Sequence, residues 1–171
     1  MPWVSFRDFL KAATILLLRK AFFRLADIQI MRIANHWIME TITAEYLKEQ
    51  KQLHHNPQYG IASIGFAEEV DACIRHMSAQ TVTDYGAGKK NLKKALDSRG
   101  VGGYIYQPFD PVFPEYGEAL EADLVCCIDV LEHVEPPLLE NVLTDLRRVT
   151  KNIGFFTVHT GPASKTLSDG R

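Results

Sequence analysis

The sequence predicts an α/β domain built on a mainly parallel sheet, and three observations support this. From residue 81 onward, short apolar runs alternate with segments of helical spacing: "TVTDYG", "KKNLKKALDSR", "GGYIYQPFD", "ADLVCCIDV", "PPLLENVLTDLRRVT" and "NIGFFTVHT". One of these runs, "ADLVCCIDV", is continuously apolar, as suits a strand covered on both faces. A turn with glycines at 86 and 88 joins the first strand to the helix after it.

Taken in chain order, residues 1–45 read as a helical extension. Phe6, Phe9, Leu10, Ala13, Leu16, Leu17, Leu25 and Ile28 recur at three- and four-residue steps, with Arg7, Lys11, Arg19, Lys20 and Arg24 between them. Two readings stand for it: a helix packed on the domain behind it, or a basic amphipathic helix making weak contact with a membrane or a partner. Its longest apolar run, Ala12–Leu18, has seven residues, whereas a bilayer span needs ~20. Residues 46–171 form the main domain. Its first part, residues 46–80, contains the turn-rich "HHNPQYG", with Pro57 and Gly60. "FAEEVDACIRHM" then places Phe66, Val70, Cys73, Ile74 and Met77 at helical spacing, and the later helix aligns Leu138, Leu139, Val142, Leu143 and Leu146.

Composition narrows the function classes. A net charge of −2 gives no global electrostatic case for nucleic acid, so any basic contact surface has to be local. Cys73, Cys126 and Cys127 form no C-x-x-C pair, which argues against a disulfide framework or a cysteine-rich zinc site and for a reducing compartment, the cytoplasm. The adjacent His54 and His55 read as surface or core packing ahead of metal.

The stretch "TVTDYGAGKKNLKKAL" lies where α/β sheets bind ligands, beyond the carboxyl end of a strand. Gly86 and Gly88 let backbone approach a ligand, and a helix N-terminus follows. Asp110 ends the second strand, about 24 residues after Gly86, in place for ribose hydroxyls. A phosphate loop of the form G-x-x-x-x-G-K-[ST] fails at Thr83 and Lys90. A G-x-G-x-x-G dinucleotide fingerprint fails at Asn91. The remaining pattern is D-x-G-x-G, from Asp84 to Gly88.

That pattern, followed at the right distance by "ADLVCCIDVLEHVEP", resembles the class I S-adenosylmethionine-dependent methyltransferases. The resemblance covers roughly Tyr46 to Arg171 and implies a Rossmann-like sheet, with S-adenosylmethionine as cofactor. Asp84, Tyr85, Gly86, Ala87, Gly88, Asp110 and Asp129 would then bind the cofactor, with Lys89 near its carboxylate. Motif I in this superfamily usually has glycine where Lys90 stands, and a backbone already helical at 90 would accommodate the lysine. Twelve residues, 111–122, separate Asp110 from Asp123, so the resemblance implies a sheet abbreviated between the superfamily's second and fourth strands. The chain closes on "HTGPASKTLSDGR" after the fifth strand, which reads as a truncated sheet with an edge open to self-association or a partner.

Glu132, His133 and His159 are the catalytic candidates. Asp129, Glu132 and His133 fall in one short turn, which could hold a divalent metal that lowers a hydroxyl's pKa. The favoured alternative has the acid near the cofactor, the histidine packing locally and no metal. His159 ends the fifth strand and reads either as a general base or as a strand-end histidine with no part in catalysis. The expected function is methyl transfer to a nitrogen or oxygen of an unidentified acceptor. The alternative is a non-catalytic or truncated relative acting as a binding or scaffold subunit.

Overall fold

The computed structural model describes residues 40–161. The helical reading of residues 1–39, including its membrane contact, and residues 162–171 lie outside the described residues.

Thr43 begins the first described helix. Its hydroxyl accepts from the Tyr46 N–H at 3.2 Å and caps α1, Ala44–Leu53. A 3₁₀ turn, Ala62–Phe66, leads into α2, Ala67–Met77. Glu68 and Glu69 occupy its first turn, and Arg75 and His76 its last, as the helix dipole favours. The alternation follows: β1 Thr81–Tyr85, α3 Asn91–Ser98, β2 Ile105–Phe109, β3 Ala122–Ile128, α4 Leu139–Val149 and β4 Thr150–Thr157.

The four strands form one sheet in the order β2-β1-β3-β4, every neighbouring pair parallel. This is the α/β architecture expected from the alternating runs, and it is compatible with a Rossmann-like arrangement. Thr83 of β1 stands opposite Gln107 of β2 on one side and Val125 of β3 on the other.

Because side chains alternate along a strand, each sheet face gathers its own core. Val82, Leu124, Cys126 and Ile128 pack with Val70 and Ile74 of α2 and with Leu92 and Leu96 of α3. On the opposite face Tyr85, Val125 and Cys127 pack with Val142, Leu146 and Val149 of α4. β3 serves both cores, which explains its unbroken apolar run. Each fully buried Leu or Val stabilises the fold by about 1.5–3 kcal/mol over an exposed one. β2 is an edge strand, so Pro108 is tolerated there and Ile105 is left exposed.

Two helix faces differ from the spacing-based expectation. α4 buries Val142, Asp145, Leu146 and Val149, while Leu139 and Leu143 are 36% and 39% exposed. The helix proper starts only at Leu139, after a 3₁₀ turn, and Asp145 is drawn inside by the Tyr85 hydroxyl, 3.0 Å away. On α2 the terminal Met77 lies exposed, where the chain turns away through Ser78 with φ +49°.

Between β2 and β3 the chain holds only one 3₁₀ turn, Pro114–Tyr116. This short crossover is fastened to the α4 face. The Thr83 hydroxyl donates to Leu120 O at 2.8 Å, and Arg148 Nη2 donates to Ala119 O at 2.9 Å. No helix among the described residues is long and apolar enough to cross a membrane.

Candidate functional site

β1 lies between β2 and β3, so the sheet grows to one side of β1 first and then to the other. Ligand crevices form at the carboxyl ends of strands at such a switch point. Here three turns converge there, following β1, β2 and β3.

The turn after β1 has Gly86 at φ +81° and Gly88 at φ +48°. Gly86 and Ala87 both donate their N–H to Phe109 O, at 2.8 and 2.9 Å. Gly88 N–H goes to Asp110 Oδ2 at 2.8 Å, and Lys90 N–H to Ala87 O at 2.8 Å. A phosphate cradle needs such groups free, and these four are engaged. What the turn offers instead is acceptors: the carboxylates around it.

Lys90 corrects one expectation. Its backbone is left-handed, φ +58°, rather than right-handed helical. A side chain there costs roughly 1–2 kcal/mol relative to glycine. The ammonium lies 4.2 Å from the centre of the Tyr116 ring, a cation–π contact that offsets part of this.

Asp110 is 7% exposed and bridges two turns, its Oδ1 accepting from Val112 N–H at 2.8 Å while Oδ2 holds Gly88. Burial raises its pKa, and the two N–H donors oppose that rise. Asp84 lies deeper, 4% exposed, and accepts a hydrogen bond from the Tyr106 hydroxyl. Burial pushes its pKa up to about 7, against the Tyr106 bond and with a further push from Asp110. Tyr85, the next residue, points to the opposite face, where its hydroxyl meets Asp145. Only its backbone belongs to the turn. Ala87 is buried in the turn itself.

The residues after β3 form a second group. Asp129, at φ +51°, accepts from the Thr157 hydroxyl at 2.7 Å and donates its N–H to Thr157 O at 3.2 Å. Glu132 Oε1 accepts from the His159 N–H at 2.8 Å, and its buried Oε2 has no hydrogen-bond partner among the described residues. His159 is thereby fixed at the end of β4 with its ring exposed. His133 is also exposed, and its N–H closes the turn onto Val130 O at 2.9 Å. No group of three or more His, Cys, Asp or Glu side chains among the described residues is arranged to hold a metal.

The two groups touch through Gly86. A Cβ built there would lie 2.4 Å from Val130 Cγ2, so the glycine makes room for the turn after β3.

Sequence reasoning missed the part played by residues 40–60. Thr43 donates its N–H and hydroxyl to the two carboxylate oxygens of Glu135, at 2.9 and 2.7 Å. Lys89 Nζ donates to Asn56 O at 2.6 Å, and Asn91 Nδ2 to Gly60 O at 2.9 Å. The segment is therefore tied to the turn after β3 at one end and to the glycine turn and α3 at the other. His54, at the end of α1, packs over Gly88, edge-on to Tyr59 and Phe113 with centroids 5.0 and 5.2 Å away. Burial lowers its pKa, while Asp110 pulls the other way. The only signal in the sequence was the turn chemistry of "HHNPQYG", which reveals nothing about its distant partner.

The chain matches no protein-family model, and a search of curated proteins returns no match.

Proposed function

We propose that this protein binds S-adenosylmethionine at the glycine turn and transfers a methyl group to a nitrogen or oxygen of an acceptor molecule. The observation that carries this reading is a D-x-G-x-G turn at the switch point whose N–H groups are used internally and whose surroundings are carboxylates. That donor set disfavours phosphate and suits a ligand that brings its own donors, an ammonium and ribose hydroxyls. When bound, the cofactor supplies an activated methyl on a sulfonium.

The chain's own residues fit this ligand as follows. Gly86 and Gly88 add no side chain of their own to the turn. Asp110, with lone pairs left beyond its two N–H partners, would accept from ribose hydroxyls. Asp84, nearly fully buried and engaged by the Tyr106 hydroxyl, would not contact the ligand directly. Asp129 and the unpartnered Glu132 Oε2 would accept hydrogen bonds at the reacting end. His159, whose N–H is held by Glu132, would take a proton from the acceptor group. The protein's contribution to rate is then mainly proximity and alignment.

A second reading, a binding or scaffold subunit without turnover, is favoured by one observation: the His54 ring covers Gly88. Calorimetric titration with S-adenosylmethionine and S-adenosylhomocysteine, with ATP and NAD as controls, tests the site. Binding of the first two alone supports the ligand assignment, and binding of ATP or NAD instead overturns it. A methylation assay over a panel of acceptors then separates enzyme from scaffold.

A further inference from the structure

His54 has a buried ring nitrogen that no described residue engages. A Cβ on Gly88 would lie 3.1 Å from His54 Cε1 and 3.8 Å from Nδ1, so this edge of the imidazole faces the glycine turn. Nδ1 is shielded from solvent and has no hydrogen-bond partner among the described residues. Native proteins rarely leave a buried polar atom so, and each exception calls for a cause, a functional role among them. The ring is not there by accident of a loose loop. Tyr59 and Phe113 pack its sides, and the segment is tied down by the Lys89–Asn56 and Asn91–Gly60 bonds. The Tyr59 hydroxyl in turn donates to Gln50 Oε1 at 2.8 Å, fixing the loop onto α1.

We propose that His54 is a ligand-contacting residue of this site, its Nδ1 completing a hydrogen bond to a polar group of the molecule bound at the glycine turn. This rests on the S-adenosyl ligand assigned above. The ligand meets the Nδ1 edge of the ring beside the glycine turn. Glycine at 88 then serves two purposes: it admits the imidazole and it admits the ligand.

The test is a titration of the full chain with S-adenosylhomocysteine, in wild type, His54→Phe and His54→Gln. Phenylalanine keeps the ring contacts with Tyr59 and Phe113 and removes the nitrogen. His54→Phe should bind about tenfold or more weakly while its ligand-free Tm stays at or above that of wild type. His54→Gln, which restores a hydrogen-bonding group, should recover part of the affinity. Equal affinity of His54→Phe and wild type overturns the proposal and leaves the site assignment standing. A matched loss of Tm and affinity in both variants also overturns it, because it marks a packing role. If wild type itself fails to bind, the site assignment falls and this inference with it.

Discussion

Thr43 and Glu135, 92 positions apart, are joined by two hydrogen bonds from one residue to both oxygens of one carboxylate. The same Thr43 hydroxyl caps α1 by accepting from Tyr46 N–H. One contact thus sets where α1 starts and fixes it to the turn that carries Asp129 and Glu132. Glu135→Ala should cost about 1–2 kcal/mol in denaturant unfolding, since the bonds are part-buried and charge-assisted. It should also speed amide exchange in Ala44–Leu53. Unchanged exchange there would show that the helix is held by something else.

Gly86 is a packing requirement before it is a ligand requirement. Gly86→Ala puts a methyl against Val130 and forces a side chain onto φ +81°. A loss of about 1–3 kcal/mol is expected. The double variant Gly86→Ala/Val130→Ala should recover part of it, because it relieves the clash and leaves the backbone strain. A double variant no more stable than the single one would mean that the clash is not the cause. Substitution at 86 is therefore a poor probe of ligand binding.

Asp84 should make stability depend on pH with an unusual sign. Its folded value is about 7 against an ordinary 3.8, so between these the folded state holds a proton that the unfolded state has lost. The contribution is fully present below the unfolded value and disappears as pH rises through about 7. Wild type should therefore lose Tm relative to Asp84→Asn between about pH 5 and 7, with the difference flattening above about 8. A difference constant across that range would place the carboxylate outside the folded proton balance.

Tyr85 tests the separation of the two sheet faces. Tyr85→Phe leaves Asp145 Oδ2 without its hydroxyl donor, while Arg148 Nε still reaches Oδ1 at 2.8 Å. A cost of about 1–3 kcal/mol is expected. Affinity for S-adenosylhomocysteine should stay at the wild-type value, because the side chain faces α4. A selective loss of binding without a loss of stability would put the hydroxyl in the ligand site.

The turn after β1 is held from three directions. Phe109 O receives two of its N–H groups, Asp110 a third, and Val130 presses on Gly86. Such a turn is rigid before any ligand arrives, which reduces what binding must spend on ordering it.

Much of this was legible in the sequence, for a physical reason. Strand and helix preference, the unbroken apolar run of β3 and the glycine punctuation at 86 and 88 are local properties, written in neighbouring residues. They determined the α/β alternation, and with it the position of the turn relative to Asp110. The parallel order β2-β1-β3-β4 and everything that depends on contacts between distant segments belonged to the tertiary structure. Tyr85 faces α4 and Asp145 is buried because the two pair across the sheet face, overriding the leucine spacing that pointed to Leu139 and Leu143. Lys90 is left-handed because the turn closes through Ala87 O, and Tyr116, 26 positions on, takes its charge. His54 reaches Gly88 only because Thr43 and Asn56 find partners at Glu135 and Lys89. No local pattern encodes a pairing of that kind. It exists only once the sheet has brought the ends of its strands together.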